Sequence, residues 1–321
     1  MNDVKMQVVP EVFHDEKFDW EKYKAQADLT ALAFDSFHPQ VAERIRICAS
    51  LLGVQFTEGG SKVVNAWLCK HRLCPTCQKR KSLKLYRQMR KIVAYLTQHG
   101  IRRYIFVTLT VRNCSGADLK QTLDQLSEGW NRLQRFPEFN SKLSGTHIRG
   151  FYKAVEVTHN IDPTSPSYDT YHPHIHALFA VDEPYFKSRR YCSRKRLQEI
   201  WKQAMRLDYD PEVWMRAVRE DDPDQAMRAI AELTKYTVKS KDYLVPDDWQ
   251  LTENTVRILQ EALFGRKFLA FGGCFRDARK ALELDDIEEG DLLHADDPSS
   301  ETDDPVIFYT WCTGYNQYRI S

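Results

Sequence analysis

The sequence predicts an α+β fold, on three observations. Apolar and β-branched runs with a two-residue alternation occur at "RRYIFVTLTV", "GFYKAVEVTH" and "HIHALFAV". Segments with helical spacing stand before, between and after those runs, without the strict strand–helix rhythm of a parallel sheet. The chain has 321 residues, 42% hydrophobic and 28% charged, ample to bury a core.

The elements follow in order. Residues 18–52 read as helices, with Leu29, Leu32, Ala33, Val41, Ile45 and Leu51 at mixed helical spacings and a break near Pro39. Residues 78–98 are the clearest helix. Leu85, Met89, Ile92 and Leu96 make one apolar stripe, Arg80, Lys84, Arg87 and Lys91 repeat its spacing on another face, and His99–Gly100 supplies a stop. The next run is a strand with Phe106, Thr108 and Thr110 on one face and Val107, Leu109 and Val111 on the other. Residues 116–135 read as a helix. The second and third strands follow, joined by the loop "NIDPTSPSYDTY", rich in Pro, Ser and Asp. Residues 193–207 and 222–240 read as helices, and "VIFYTW" as a short strand near the end.

Composition narrows the function classes. No apolar run reaches membrane-spanning length, and the first residues lack a basic start and apolar core, so a cytoplasmic protein with no membrane partner is expected. Eight cysteines in that setting point to metal or free thiols rather than disulfides. The net charge of +1 hides an asymmetry. Residues 281–321 hold eleven acids and one base, which leaves 45 bases and 34 acids in residues 1–280. A basic body favours a polyanionic partner.

"CKHRLCPTC" places Cys69, Cys74 and Cys77 in a C-x4-C-x2-C cluster, with Cys48 twenty-one positions earlier. Zn²⁺ takes four tetrahedral sulfur or nitrogen ligands, and Cys74-Pro75-Thr76-Cys77 is a two-thiolate knuckle. Cys48 and Cys69 are expected to complete the set, with His71 as the competitor. From Cys69 to Arg103 the chain carries eleven Lys or Arg and no acid. A structural zinc leading into a basic helix suits contact with a phosphate backbone, through Arg72, Lys79, Arg80, Lys81, Lys84, Arg87 and Lys91. The bland alternative is a solvated helix face, which normally mixes charge signs.

In "YHPHIHALFAV", His172, His174 and His176 alternate along a strand and share one face. Neutral imidazole is a good ligand for divalent ions, and a third ligand must come from elsewhere. Glu156, on the preceding strand, is the first candidate; His159 and Asp169 are lesser ones. An H-x-H pair taken alone is more often a hydrogen-bonded polar edge than a metal site. In "AELTKYTVKSKDYL", Glu232, Tyr236 and Lys239 fall at i, i+4 and i+7, one face of an expected helix. A carboxylate, a phenol and an ammonium there make a nucleophile set, although on this stretch alone an ordinary amphipathic helix is the better explanation.

Taken in order, "FVTLTVRN", "EVTHN…YHPHIHALFAV" and "ELTKYTVKS" resemble the HUH endonuclease superfamily, and within it the plasmid rolling-circle replication initiators whose active site pairs a Glu with a Tyr. "RIRICASLL…NAWLCKHRLCPTC" is similar to that branch's cysteine region and "FLAFGGCFRDARKALELDDIEEGDLLH" to its C-terminal stretch, so the likeness spans roughly residue 40 onward. The resemblance implies a central antiparallel sheet of about five strands flanked by helices, with the two histidines on a central strand and the tyrosine on a packed helix. It implies that Tyr236 attacks the scissile phosphate and becomes linked to the 5′ phosphate, leaving a 3′-OH primer. His174 and His176 would hold Mg²⁺ or Mn²⁺; Glu232 would activate water at termination; Lys239 would assist. Glu156 is the third-ligand candidate by its strand position, and His172, part of the same motif, is left open between ligand and supporting partner. The implied partners are plasmid origin DNA, as double-stranded origin and single-stranded nick site, host helicase and replication machinery in a bacterial cytoplasm, and further copies of the chain.

On this reading residues 1–100 form the helical, zinc-binding, DNA-contact region, 101–250 the endonuclease and 251–321 a C-terminal region with the acidic tail. Three other readings compete: an HUH transposase or relaxase, for which Tyr243 would be a second tyrosine, a non-catalytic zinc-dependent DNA-binding regulator, and an H-x-H hydrolase of small molecules. The acid-free basic stretch speaks against the last.

Overall fold

The structure is a computed structural model that describes residues 9–57, 60–140, 143, 147–219, 223–234, 237–294 and 305–321. The chain opens with a two-residue strand, β1 (Val12–Phe13), and helix α1 (Trp20–Asp35), whose first turn is capped by the Asp19 carboxylate accepting from Lys22 N. Pro39 starts α2 (Pro39–Arg46), where its missing N–H and fixed φ suit a first helical turn. Where only helix was expected, a hairpin follows, β2 (Leu51–Thr57) with β3 (Gly60–Ala66). The β-branched Val54, Val63 and Val64 support these strands, but the burial of β3 is too partial to leave a clean alternation in the sequence.

The basic helix α3 (Pro75–Gln98) precedes β4 (Arg103–Thr110), α4 (Leu119–Leu133), β5 (Ile148–Asn160) and β6 (Thr170–Val181). Then come α5 (Arg194–Met205), capped by Ser193, β7 (Val213–Arg219) and α6 (Pro223–Leu233). α7 (Trp249–Leu263), β8 (Leu269–Gly273), α8 (Cys274–Ala281), β9 (Val306–Cys312) and β10 (Gln317–Ile320) complete the chain. Among the described residues, no helix is long and apolar enough to cross a membrane.

Two compact units result. The first comprises Met1–Lys84, Asp248–Val256 and Asp285–Ser321; the second comprises Leu85–Asp247 and Arg257–Leu284. In the first, five antiparallel strands run in the order β1-β10-β9-β2-β3, so the N- and C-terminal strands pair. Phe13, Phe18, Trp20, Leu52, Val54, Tyr309, Trp311 and Tyr318 form its core. The polar tips of the aromatics are satisfied: Tyr318 Oη donates to Ala49 O at 2.7 Å and Trp311 Nε1 to Asp28 Oδ2 at 2.7 Å. On α1, Leu29 and Leu32 are exposed rather than part of that core.

The second unit holds the expected five-stranded antiparallel sheet, in the order β7-β4-β6-β5-β8. β6, with its histidines, is the middle strand. One face packs on α4 and α5, where Trp130 meets Phe151 and Phe179 and Trp201 Nε1 donates to Thr110 O at 2.8 Å. The opposite face carries Tyr104, Phe106, Thr108, Tyr152, His174 and His176. Part of it is covered by α6, whose Leu233 O accepts from Tyr152 Oη at 3.0 Å, and by α8, whose Phe275 meets Tyr104. β5 and β8 approach so closely that only glycine fits: a Cβ on Gly273, at φ +55°, would lie 2.3 Å from Arg149 O.

One expected element is shorter. The helix foreseen over 222–240 ends at Leu233. The chain beyond it instead turns toward β5, where Val157 N donates to Thr237 O at 2.6 Å. The β-branched Thr234, Thr237 and Val238 favour that exit over another helical turn. Lys239 is therefore not on a helix face with Glu232 but on extended backbone leading into a 3₁₀ turn at Ser240–Asp242.

Candidate active site and metal centres

The second unit's site is built by strand register. Glu156 on β5 stands opposite His174 on β6, and His176 stands opposite Thr108 on β4. Cross-strand partners and residues two apart share a face, so the carboxylate, both imidazoles and the threonine converge. Glu156 Oε2 lies 3.2 Å from His176 Nε2 and 3.4 Å from His174 Nε2, and the two Nε2 atoms are 3.1 Å apart. All three residues are buried.

The second ring nitrogens are occupied. His174 Nδ1 donates to the His172 carbonyl at 3.0 Å, which leaves Nε2 with its lone pair. His176 Nδ1 is 3.0 Å from Thr108 Oγ1. This is the outer support that metal-binding imidazoles use to fix tautomer and ring orientation. Two lone-pair nitrogens and a carboxylate oxygen crowded at a little over 3 Å are ill-matched to one another and well matched to a divalent cation. Burial pushes the Glu156 carboxyl up, but the neighbouring His174 and His176 rings and the Lys239 ammonium outweigh it and hold the group well below the usual carboxylate range. It is thus an anion ready to ligate.

Lys239 Nζ donates to the other carboxylate oxygen, Glu156 Oε1, at 2.5 Å. Glu232, on the last turn of α6, is 4.0 Å from His176 Nε2 with its side chain about one-third exposed, so a carboxylate stands at the mouth of the group. Tyr236, expected as the nucleophile, lies outside the described residues. Tyr243 is fully buried, enclosed rather than offered as a second nucleophile. His172 contributes its carbonyl; its side chain is not in the three-residue group. His159 points to the other face, stacked on Tyr171 and bonded through Nε2 to Asp169 at 2.9 Å, so neither His159 nor Asp169 joins the site. Thr108 was missed as a functional residue. Its signal was present, as a polar residue among apolar ones on the face that also carries Thr110.

In the first unit, Cys48, Cys69, Cys74 and Cys77 come together, all buried. Their sulfurs are 3.5 Å (Cys48–Cys77), 3.6 Å (Cys48–Cys74) and 3.7 Å (Cys69–Cys77) apart. A tetrahedron with Zn–S bonds of about 2.3 Å has edges of about 3.8 Å, so the donor set fits zinc. Backbone N–H groups of Cys69, Lys70 and His71 point at the sulfurs of Cys48, Cys77 and Cys69, as they do where thiolate charge must be balanced. Hydrogen bonds from the other three sulfurs hold Cys69 far below the usual thiol range, while burial pushes Cys74 and Cys77 up. His71, the alternative ligand, instead packs edge-on against Phe34 and accepts from Leu73 N through Nδ1.

The expected basic face divides. Arg80, Lys81 and Lys84 are each at most 4% exposed and are bound by the acidic C-terminal segment. Lys84 Nζ donates to Asp285 Oδ2 at 2.7 Å and to Asp286 O. Lys81 Nζ donates to Glu288 Oε2 at 2.7 Å. Arg80 donates to the carbonyls of Leu292 and Leu293, at 2.8 and 2.6 Å, with its guanidinium over Phe18 and Trp20. A strap of residues 285–293 thus lies along the first turns of α3. Lys91 is exposed, and Arg72, Lys79 and Arg87 are half-buried. Of the acidic tail, Asp296, Asp297, Glu301, Asp303 and Asp304 lie outside the described residues.

Comparison with known proteins adds the lineage. A family model described as "Replication protein" matches residues 60–319. The chain belongs to this replication-protein family. It is 33% identical to "Protein rep" of Bacillus amyloliquefaciens over 333 residues, covering 95% of this chain and 94% of the relative. It is 35% identical to "Protein rep" of a Bacillus species, covering 80% and 85%, and 34% identical to "Protein rep" of Streptococcus pneumoniae serotype 2 (strain D39 / NCTC 7466), covering 83% and 79%. No solved structure matches. The resemblance to Rep proteins carried by the motifs is borne out, and the histidine strand sits at the centre of a replication protein.

Proposed function

We propose that this Rep chain initiates rolling-circle replication of a plasmid by nicking one strand of its origin through Tyr236. The observation that carries the reading is the convergence of Glu156 Oε2, His174 Nε2 and His176 Nε2, with both imidazoles braced through Nδ1. Mg²⁺ or Mn²⁺ held there would draw charge from the scissile phosphate's non-bridging oxygens. Glu156 supplies the anionic ligand, and Lys239 keeps it ionised and oriented. The Tyr236 phenol, ordinarily protonated near neutral pH, loses its proton as it attacks phosphorus. The bond to the 3′ oxygen breaks, that oxygen takes up a proton, and the 5′ phosphate stays on the tyrosine. Glu232 has the reach to accept a proton from water in a later cleavage, which ends the round.

In this reading residues 101–250, with β8 and α8 completing their sheet, carry the endonuclease, and residues 1–100 carry a DNA contact region shaped by Zn²⁺ on the four cysteines. Lys91, Arg87, Lys79 and Arg72 offer charge to the phosphate backbone, and residues 251–321 include the acidic stretch, which precedes β9 and β10. Host helicase then opens the duplex from the nick.

The test is incubation with a labelled single strand spanning the origin nick site. A covalent adduct mapped to Tyr236, lost in Tyr236→Phe and in EDTA and restored by Mn²⁺ or Mg²⁺, is the expected result. Nicking that survives Tyr236→Phe, or that persists in chelator, overturns the assignment of nucleophile or of metal.

A further inference from the structure

The edge strand β7 carries an exposed tryptophan beside the metal-binding face. Trp214 is 61% exposed. It pairs in register with Thr108, which pairs in turn with His176. Because cross-strand partners point the same way, Trp214 lies on the face that bears the histidines; the Thr108–His176 hydrogen bond marks that face. Arg216, two residues on, confirms it: its guanidinium lies 4.9 Å from the Phe106 ring, and Phe106 lies 5.7 Å from the His176 ring.

One arginine meets the indole and a second stands two residues along the same face of the strand. Arg194 is anchored by its Nε to the Val213 carbonyl at 3.0 Å, with its guanidinium 5.4 Å from the Trp214 ring centre. Arg216 is exposed on the same side of the strand. Neighbouring strands are about 4.8 Å apart, so the backbone of Trp214 is about 10 Å from that of His176. An indole of this kind, open to solvent with one guanidinium against it and another two residues along the strand, suits a ligand with a flat π-face and anionic links. A polyanionic ligand is favoured over a protein by the excess of bases in residues 1–280, 45 against 34 acids.

We propose that Trp214 is a stacking platform for a nucleobase of single-stranded DNA next to the scissile phosphate, with Arg194 and Arg216 on the adjoining phosphates. The proposal rests on the nicking reading for the phosphate's position, but not for the stacking itself. Base stacking on an aromatic is tolerant of sequence, so oligo(dT) serves as the probe.

The experiment measures binding of fluorescein-labelled oligo(dT) to the full chain in EDTA, where neither ion nor nucleophile acts. Trp214→Ala is expected to weaken binding about fivefold to a hundredfold, and Trp214→Phe to keep most of the affinity. Wild-type affinity in Trp214→Ala overturns the platform. So does a wild-type dimer that becomes a monomer in Trp214→Ala with oligo(dT) affinity unchanged, which makes the tryptophan a contact between copies. A second arm uses the origin strand with an abasic site beside the nick. The lesion is expected to weaken wild type but to add no further loss in Trp214→Ala; an equal loss in both overturns the position assigned to the base. Failure of Tyr236 to form an adduct affects none of the oligo(dT) results, so the two readings fail separately.

Discussion

Replacing Lys153 by Met should stabilise the protein at neutral pH. Lys153 lies on β5, on the face opposite the metal group, and only 6% of it is exposed. Its one described favourable contact for the charge is the Trp130 ring, 5.5 Å from Nζ. Burial lowers the ammonium from the ordinary 10.5 to about 8. At 1.36 kcal/mol per pH unit, carrying the proton into the fold costs about 3 kcal/mol. The cation–π contact returns about 0.5–2 kcal/mol, so Lys153→Met should gain about 1–3 kcal/mol at pH 7. The sign with pH follows. Between about pH 8 and 10.5 the unfolded chain holds a proton that the folded chain has released, so wild-type stability rises with pH through that window. The advantage of the methionine should therefore shrink to about 1 kcal/mol or less by pH 10. Urea unfolding of both proteins at pH 7 and pH 10, followed by intrinsic fluorescence, measures the difference. A methionine variant no more stable at pH 7, or one whose advantage does not fall with pH, refutes the account of Lys153 as an uncompensated buried charge.

Thr108→Val removes the Nδ1 partner of His176 without touching a candidate ligand and should weaken Mn²⁺ binding about tenfold to a hundredfold by calorimetry, with the thermal midpoint of the metal-free protein little changed. Cys77→Ser should lower bound zinc from one equivalent per chain to none, as read by metal analysis, and should destabilise the first unit to urea. Lys84→Met frees Asp285 and the Asp286 carbonyl; because Asp285 is half exposed and water can take its place, the expected loss is about 1–2 kcal/mol, with faster proteolysis within 285–293.

Strong local patterns were readable and long-range partnerships were not. The alternation in 103–110, the 148–160 and 170–181 runs and the Leu85/Met89/Ile92/Leu96 stripe specify their elements locally, and all four stripe residues are buried. Glu156 was legible as a candidate ligand because it sits on the strand preceding the histidines, and the register does bring it beside them. β7 was not read as a strand, because "VWMRAVR" sits at the sheet edge with Trp214 and Arg216 exposed, and its pattern shows no buried face. β1 and β10 were invisible because they are strands of two and four residues, and the partner of β1 lies three hundred positions away. The burial of Lys84 was hidden for the same reason: its partner is 201 residues away, and no window on the sequence joins a basic helix to an acid strip. Helix 222–240 was overread because a good spacing for one face says nothing of where the backbone finds a better acceptor.

The strap along α3 bears on how the protein responds to ionic strength. Each cation that meets a DNA phosphate displaces condensed counterions, and the slope of log affinity against log salt counts those cations at about 0.9 apiece. The stretch from Cys69 to Arg103 offers eleven bases by composition, but Arg80, Lys81 and Lys84 already have their anions and carbonyls inside the fold. They release no ions when DNA arrives. A salt titration of duplex binding should therefore report at most eight of the eleven, and a shallower dependence than the sequence advertises would let the protein hold its origin at ionic strengths that strip a simpler basic helix.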